Sequence, residues 1–251
     1  MTGSAAPAER WGALALRSRA EVVEAARELD AHAWSWKRRG RALTRAWRAA
    51  ADLGLTSYPL ERDRTKSWDV WRAVRHLLAT VRPDGLVLDV GAWQSEVLWA
   101  LRRAGFTSLE GCDTDPRVRR MPGDGITYLV GDFFEADVAP RSLAALTCLS
   151  VLEHGMDAEA FFSRAAGLLA PGGRLLLTTD YWPDALDTTG LEAFGRPWHI
   201  GSRADAERWI GVAETLGLRP DGPVDLEARE APITWNGRSY TFLWLAFAAE
   251  D

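Results

Sequence analysis

Apolar positions recur with two different periods along the chain, and the change from one to the other sets out its elements. From Ala8 to about Leu55 the spacing is helical. Val22, Val23, Ala26 and Leu29 fall on one face, Leu43, Ala46, Trp47 and Ala50 on another, and Gly40 breaks the pattern between them. This predicts two or three helices outside the main sheet. The polar stretch TSYPLERDRTKSW (56–68) follows, and Val70, Val74, Leu77 and Leu78 mark a further helix that Pro83-Asp84-Gly85 ends. Then strand-length and helical runs alternate. LVLDV (86–90) is an apolar run of strand length broken only by Asp89, and Val97, Leu98 and Leu101 are at helical spacing before Gly105. SLEGCD, ITYLVGD (126–132) and LAALTCLS (143–150) read as the second, third and fourth strands. Asp157 caps a helix bearing Phe161, Phe162, Ala165, Leu168 and Leu169, which Pro171-Gly172-Gly173 stops. RLLLTTD is the fifth strand, and Ser202 with Asp205 forms a capping box ahead of Trp209, Val212, Ala213 and Leu216. Strand and helix in repeated alternation imply a parallel sheet covered on both faces.

The end of the chain departs from that alternation. ITW, Asn236-Gly237 and RSYTFLWLAF form a hairpin signal, with Asn-Gly suited to a type I′ turn. Tyr240, Phe242 and Trp244 lie on one face of the last strand, and Leu243, Leu245 and Phe247 on the other. A strand apolar on both faces belongs inside a sheet.

Composition narrows the function classes. The 251 residues, 47% hydrophobic and 26% charged, suffice for one good core. A formal charge of -5 with scattered basic residues excludes a nucleic-acid groove. Cys112 and Cys148 lack metal-ligand spacing, and no leader or long uncharged apolar run is present, so a reduced, cytoplasmic protein without a membrane span is expected. The 13 tryptophans are the kind of surface an organic ligand packs against. For any single one of them, packing the core is the favoured role.

The first strand ends in VLDVGAWQSE (87–96). Gly91, directly after it, lets backbone approach a ligand at the carboxyl edge of a parallel sheet. Asp113 closes the second strand, where an acid accepts hydrogen bonds from ribose hydroxyls. A dinucleotide site would need GxGxxG to seat a pyrophosphate, whereas GAWQSE puts the acid Glu96 near that place, so a cofactor without phosphate is favoured.

With VLDVGA, GCDTDP, GDFFEAD, and CLSVLEH followed by PGG in this order, the region from Leu86 to the C-terminus resembles the class I S-adenosylmethionine-dependent methyltransferases, small-molecule type. The resemblance implies a Rossmann-like α/β fold: a mostly parallel seven-stranded sheet, a C-terminal antiparallel hairpin and extra N-terminal helices. It divides the chain into a helical lid or appendage, 1–80, and an S-adenosyl-L-methionine-binding domain, 81–251. By resemblance Asp89 helps hold the methionine part of the cofactor, with Gly91 and Ala92 giving backbone contacts and Trp93 bordering that end. Asp113, with Thr114 beside it, takes the ribose. Asp132 meets the adenine amino group, the Phe133 amide a ring nitrogen, and Ser150 lies beside the methionine moiety. For several of these an ordinary structural role competes: Asp89 as a brace for the loop, Asp132 as an exposed loop acid.

His154 is the candidate general base, against a structural Glu153-His154 turn pair. Sulfonium is a good enough leaving group for placement to supply most of the rate, and a base is needed only for a protonated nucleophile. Tyr181, Trp182, Trp198 and His199 form the expected substrate wall, suited to a sugar, polyketide-like or aromatic molecule, and packing at the sheet edge is the competing role. No metal site is expected. The partners are a small-molecule substrate and, at most, a second copy as a homodimer. The function read from these motifs is methylation of a small molecule, at an oxygen of a specialised metabolite or glycosyl substrate. The alternative is a fold that has lost methyl transfer and serves as a scaffold or a non-methylating cyclase. Trp93 stands where the family commonly has a second glycine. A positive φ there would strain tryptophan; a negative φ would turn the indole aside and leave contacts to the Ser95 amide.

Overall fold

The computed structural model describes residues 10–36, 41–60 and 63–250. The expected helix start at Ala8 and the break at Gly40 lie outside them. In chain order the elements are β1 (Ala13–Ala15), α1 (Arg19–Ala31), α2 (Arg41–Asp52), α3 (Ser67–Thr80), β2 (Val87–Val90), α4 (Val97–Arg103), β3 (Leu109–Asp113), β4 (Ile126–Val130), β5 (Leu143–Leu149), α5 (Ala158–Leu168) and β6 (Leu169–Tyr181). There follow β7 (Glu192–Ala193), β8 (Arg196–Pro197), α6 (Arg203–Thr215), β9 (Leu218–Pro220), β10 (Val224–Asp225), β11 (Ile233–Trp235) and β12 (Arg238–Ala249). Short 3-10 turns at Arg64–Lys66 and Pro116–Arg120 precede α3 and follow β3.

The main sheet runs β10-β1-β12-β6-β5-β2-β3-β4, with β9 and β11 also paired to β12. Strands β4, β3, β2, β5 and β6 are parallel. The chain leaves β2 toward β3 and β4, then returns to β5 on the other side of β2. This puts the switch point of the sheet between β2 and β5, and ligands of such sheets bind at the carboxyl edge there. The last strand is antiparallel and interior, as its two apolar faces require: it pairs with β6 from Thr241 to Ala248. Its turn residues Asn236 and Gly237 have φ of 47° and 74°, the left-handed values of a type I′ turn. Asp157 caps α5 and the Ser202/Asp205 box opens α6, as expected.

The N-terminal segment corrects the sequence reading. Residues expected to be helical form β1, which pairs with the middle of β12, Leu14 opposite Trp244. The reason is visible in ALAL, 13–16. Ala13 and Ala15 enter the core on one face of the sheet, and Leu14 and Leu16 enter the core on the other. Along its second edge β12 is covered in turn by β11, β1 and β9, so its backbone is paired over most of its length.

Helix α3 packs on β5 and β6 with α1 over it, and Trp68, Val74 and Leu77 join Phe242 and Trp244 in one core. Phe161, Phe162, Leu177 and Phe247 fill the other, where α5 and α6 pack together. Helix α2 joins the core at its C-terminal end: Ala51 is fully buried, Leu43 is 53% exposed, and Trp47 is anchored by its indole N–H donating to the Ser57 carbonyl at 2.8 Å.

Candidate functional site

The loop after β2 is held by hydrogen bonds from its own backbone. Gly91 (φ +78°) and Ala92 both donate their N–H to the Cys112 carbonyl, at 3.0 and 3.1 Å. A Cβ on Gly91 would run into Val151, so the glycine is needed both for its conformation and for the close approach of the loop after β5. Trp93 keeps a negative φ, and the left-handed residue is Gln94 (φ 62°). The Trp93 N–H donates to Asp113 Oδ2 at 2.9 Å, and Asp115 N–H donates to Asp113 Oδ1 at 2.7 Å. The Trp93 indole meets the edge of Tyr58, ring centres 5.1 Å apart, with the Arg117 guanidinium 4.6 Å above it. It is thus turned to the β3 side of the loop.

Behind the loop Asp89 is buried, accepting from Thr147 Oγ1 at 2.6 Å, with Oδ2 unpartnered. Burial pushes its pKa up to about 7, with the Thr147 and Ser95 hydroxyls pulling the other way and Asp113 adding to the rise. Asp132 is exposed and holds its own turn by accepting from the Phe134 N–H at 3.0 Å. The Phe133 ring is buried, while its backbone N–H has no hydrogen-bond partner among the described residues.

A second group lies beyond β5 and β6. Ser150 sits in the left-handed region (φ 56°), a strained conformation of the kind that collects at functional sites. Its hydroxyl accepts from Lys66 Nζ and contacts Asp69 Oδ2 at 3.3 Å, and Thr178 Oγ1 donates to the same Asp69 oxygen at 3.0 Å. Lys66 Nζ lies 3.9 Å from Asp69 Oδ2 and 3.8 Å from the centre of the Phe242 ring. Asp69 is pushed up to about 6 by burial, which Lys66 opposes. Glu153 and Asp180 are also buried, and burial raises both above the usual carboxylate range; Asp180 raises Glu153 further, and Lys66 opposes both shifts. Trp198 Nε1 donates to Asp180 Oδ2 at 2.8 Å. His154 is driven down to about 4 by burial, with Lys66 and Arg196 adding to the effect.

A family model described as Methyltransferase domain matches residues 60–217, well over half of the chain and both groups of residues above. The chain belongs to the class I S-adenosylmethionine-dependent methyltransferases. No curated protein matches it. Among solved structures, a Galdieria sulphuraria protein named as a sarcosine dimethylglycine methyltransferase superposes with TM-score 0.58 at 17% identity, over 83% of this chain and 98% of the other. The Haloferax volcanii methyltransferase solved with the Trm112 activator gives 0.56 at 19%, over 84% and 97%. Geranyl diphosphate C-methyltransferase from Streptomyces coelicolor A3(2) gives 0.56 at 18%, over 74% and 79%. At these identities the likeness concerns the fold.

The residues of this methyltransferase fit its cofactor: a close-approach glycine, an acid at the end of β3, an open Phe133 amide, and an orphaned buried carboxylate oxygen behind the loop in place of a phosphate cradle. The described residues contain no metal-ligand cluster and no helix long and apolar enough to cross a membrane.

Several sequence expectations need correction. The Trp93 indole faces Tyr58 and Arg117 on the β3 side. The Ser95 N–H is used within the loop, donating to the Ala92 carbonyl at 3.2 Å. Of the expected wall, Tyr181 is core: it is fully buried and its hydroxyl donates to the Leu226 carbonyl at 2.8 Å. His199 is exposed and leans on the α6 capping acid, Nε2 to Asp205 Oδ2 3.3 Å. Trp182 is half-buried, with its N–H on the Gly201 carbonyl, and Trp198 alone reaches the acids. As a base His154 is weakened by its lowered pKa; its ring meets the edge of Phe194 at 5.4 Å. Thr114 is exposed, 3.4 Å from Arg196 Nη2. Sequence reasoning missed Lys66 and Asp69 altogether. The only signal was that Lys66, one of two lysines, lies in the polar stretch before α3.

Proposed function

We propose that this methyltransferase acts on a heteroatom of a small organic molecule that enters beside Ser150, at the carboxyl edge of β5 and β6. The observation that carries this reading is the adjoining of two groups across the switch point. The Gly91 loop and Asp113 lie on one side. The Lys66, Asp69, Glu153 and Asp180 cluster lies on the other, with Val151 against Gly91 between them. S-adenosylmethionine, when bound, supplies a methyl group on a sulfonium, ready for attack. Asp89, Asp113, Asp132 and the Phe133 amide hold it; Ser150 and its neighbours position the acceptor. The acceptor proton would pass to the Glu153/Asp180 pair in preference to His154, whose pKa burial lowers.

The aromatic wall is redrawn around Trp198, with Trp235 and Tyr240 edge-on at 4.9 and 5.6 Å, and Phe194, 88% exposed, at the rim. An oxygen of a specialised metabolite or glycosyl unit is the acceptor favoured by the sequence, and rings of this kind suit it. The helical part of residues 1–80 acts as the lid over this mouth, in a cytoplasmic protein of biosynthesis. Calorimetric titration of S-adenosylmethionine into the wild type and Asp113→Ala tests the cofactor half, and an acceptor screen read by S-adenosylhomocysteine release tests the rest. Binding by the wild type and its loss in the variant are expected; a wild type that does not bind S-adenosylmethionine overturns the reading.

A further inference from the structure

We infer that the acceptor atom is an amine nitrogen, in place of the oxygen that the sequence favours, and that the amine arrives as its ammonium ion and docks against Asp180, Glu153 and Asp69. The inference rests on the methyltransferase reading and names the substrate class of that same site. The three carboxylates come from separate elements, α3, the loop after β5 and β6, and are 0%, 3% and 4% exposed. Each keeps one oxygen with no hydrogen-bond partner: Asp69 Oδ1, Glu153 Oε2 and Asp180 Oδ1. A buried carboxylate with one oxygen unpartnered is costly, and three in one place are sustained only by positive charge or by protons. Among the described residues, Lys66 is the one cation that acts on all three. Its ammonium is already engaged with Ser150, Asp69 and the Phe242 face. Arg196 acts on His154 instead. One lysine cannot balance three acids, so the cluster takes up protons or a further cation, and an ammonium ion supplies both.

Lys66 also shows how an ammonium is received here, by a hydroxyl, a carboxylate and an aromatic face together. The free oxygens of Asp180 and Glu153 offer the same chemistry beside the rings of Trp198 and Tyr240. An alcohol would bring no charge to them. The step balances without a further reactant. R–NH3+ gives a proton to the carboxylate pair, and the freed lone pair bonds to the methyl carbon. The C–S bond breaks toward sulfur, and R–NH2+–CH3 leaves with S-adenosylhomocysteine. Burial, by raising Glu153 and Asp180, brings their proton affinity nearer to that of an ammonium ion and so eases the transfer.

The test uses the full chain saturated with S-adenosylhomocysteine and titrated with benzylamine, phenethylamine, benzyl alcohol and 2-phenylethanol. The amines are expected to bind at least about tenfold tighter than their alcohols. Asp180→Asn and Glu153→Gln should each reduce that preference, leaving S-adenosylhomocysteine affinity within about twofold. Alcohols that bind as well as the amines overturn the inference, and so does a preference that survives both substitutions. A collapse of S-adenosylhomocysteine affinity in the variants, with amine selectivity unchanged, would assign the acids to the cofactor and also overturns it. Failure of the methyltransferase reading looks different: the wild type would then not bind S-adenosylmethionine.

Discussion

Asp89 gives the sharpest physical test, through Asp89→Asn. Its carboxyl is 1% exposed, with one hydrogen bond from Thr147 and one oxygen unpartnered. Burial raises its pKa from 3.8 to about 7. The native state therefore holds this proton more tightly than the unfolded chain does. The resulting stability is fully present below pH 3.8 and is lost as pH rises through about 7. At about 1.4 kcal/mol per pH unit the full loss is about 4 kcal/mol, of which about 2.5 kcal/mol falls between pH 5 and 8. Asparagine cannot ionise, so the variant lacks this contribution. Urea unfolding of wild type and variant at pH 5, 6, 7 and 8 without cofactor measures it. The stability difference between the two proteins should shift by about 2.5 kcal/mol across the range, in favour of the variant at high pH. Asp69 has the same sign, and Asp221, lowered by its hydrogen bond from His76, has the opposite sign; both are present in each protein and cancel. Parallel pH curves for the two proteins would show that Asp89 ionises freely in the fold and would refute the argument.

Gly91→Ala puts a methyl group against Val151 at a φ of +78°. It should cost about 1–3 kcal/mol in urea unfolding and weaken S-adenosylmethionine by at least about tenfold; unchanged calorimetric affinity would count against the loop. Trp93→Ala removes the Tyr58 edge contact and the Arg117 cation–π pair but keeps the backbone N–H on Asp113. A stability loss of about 1–3 kcal/mol with cofactor affinity within about threefold is expected, and a large loss of affinity would mean that the indole itself contacts the cofactor. Leu16→Ala empties a fully buried site beside β12. It should cost about 2–4 kcal/mol by chemical denaturation, whereas a cost below about 1 kcal/mol would mean that β1 is dispensable.

The parts of the site legible in the sequence are those that depend on short-range backbone chemistry. Gly91 after an apolar run and Asp113 at the end of the next strand are fixed by positions in single strands and turns. So are the Asn236-Gly237 turn and the caps Asp157 and Ser202. Trp93 was legible only as a choice between two backbone conformations. The fold resolves it by giving the left-handed φ to Gln94 and tying the Trp93 amide to Asp113. Strand β1 was misread because three residues of alternating Ala and Leu carry too little period to outweigh the helix that follows.

What the sequence by itself determined is the alternation of strands and helices, the interior antiparallel strand and the glycine loop after β2, because each follows from local periodicity or from one residue's conformational needs. What only the tertiary structure decided is which side chains converge. Lys66 and Asp69 lie far in sequence from Glu153 and Asp180, and no spacing rule relates them. Their shared burial follows from α3 packing across the ends of β5 and β6. The same packing consigned Tyr181 to the opposite core, since neighbouring residues of one strand point to opposite faces, and left Asp180 facing the acids. Charge in a protein interior depends on who is near in space, so the electrostatics of this buried cluster could be read only from the folded chain.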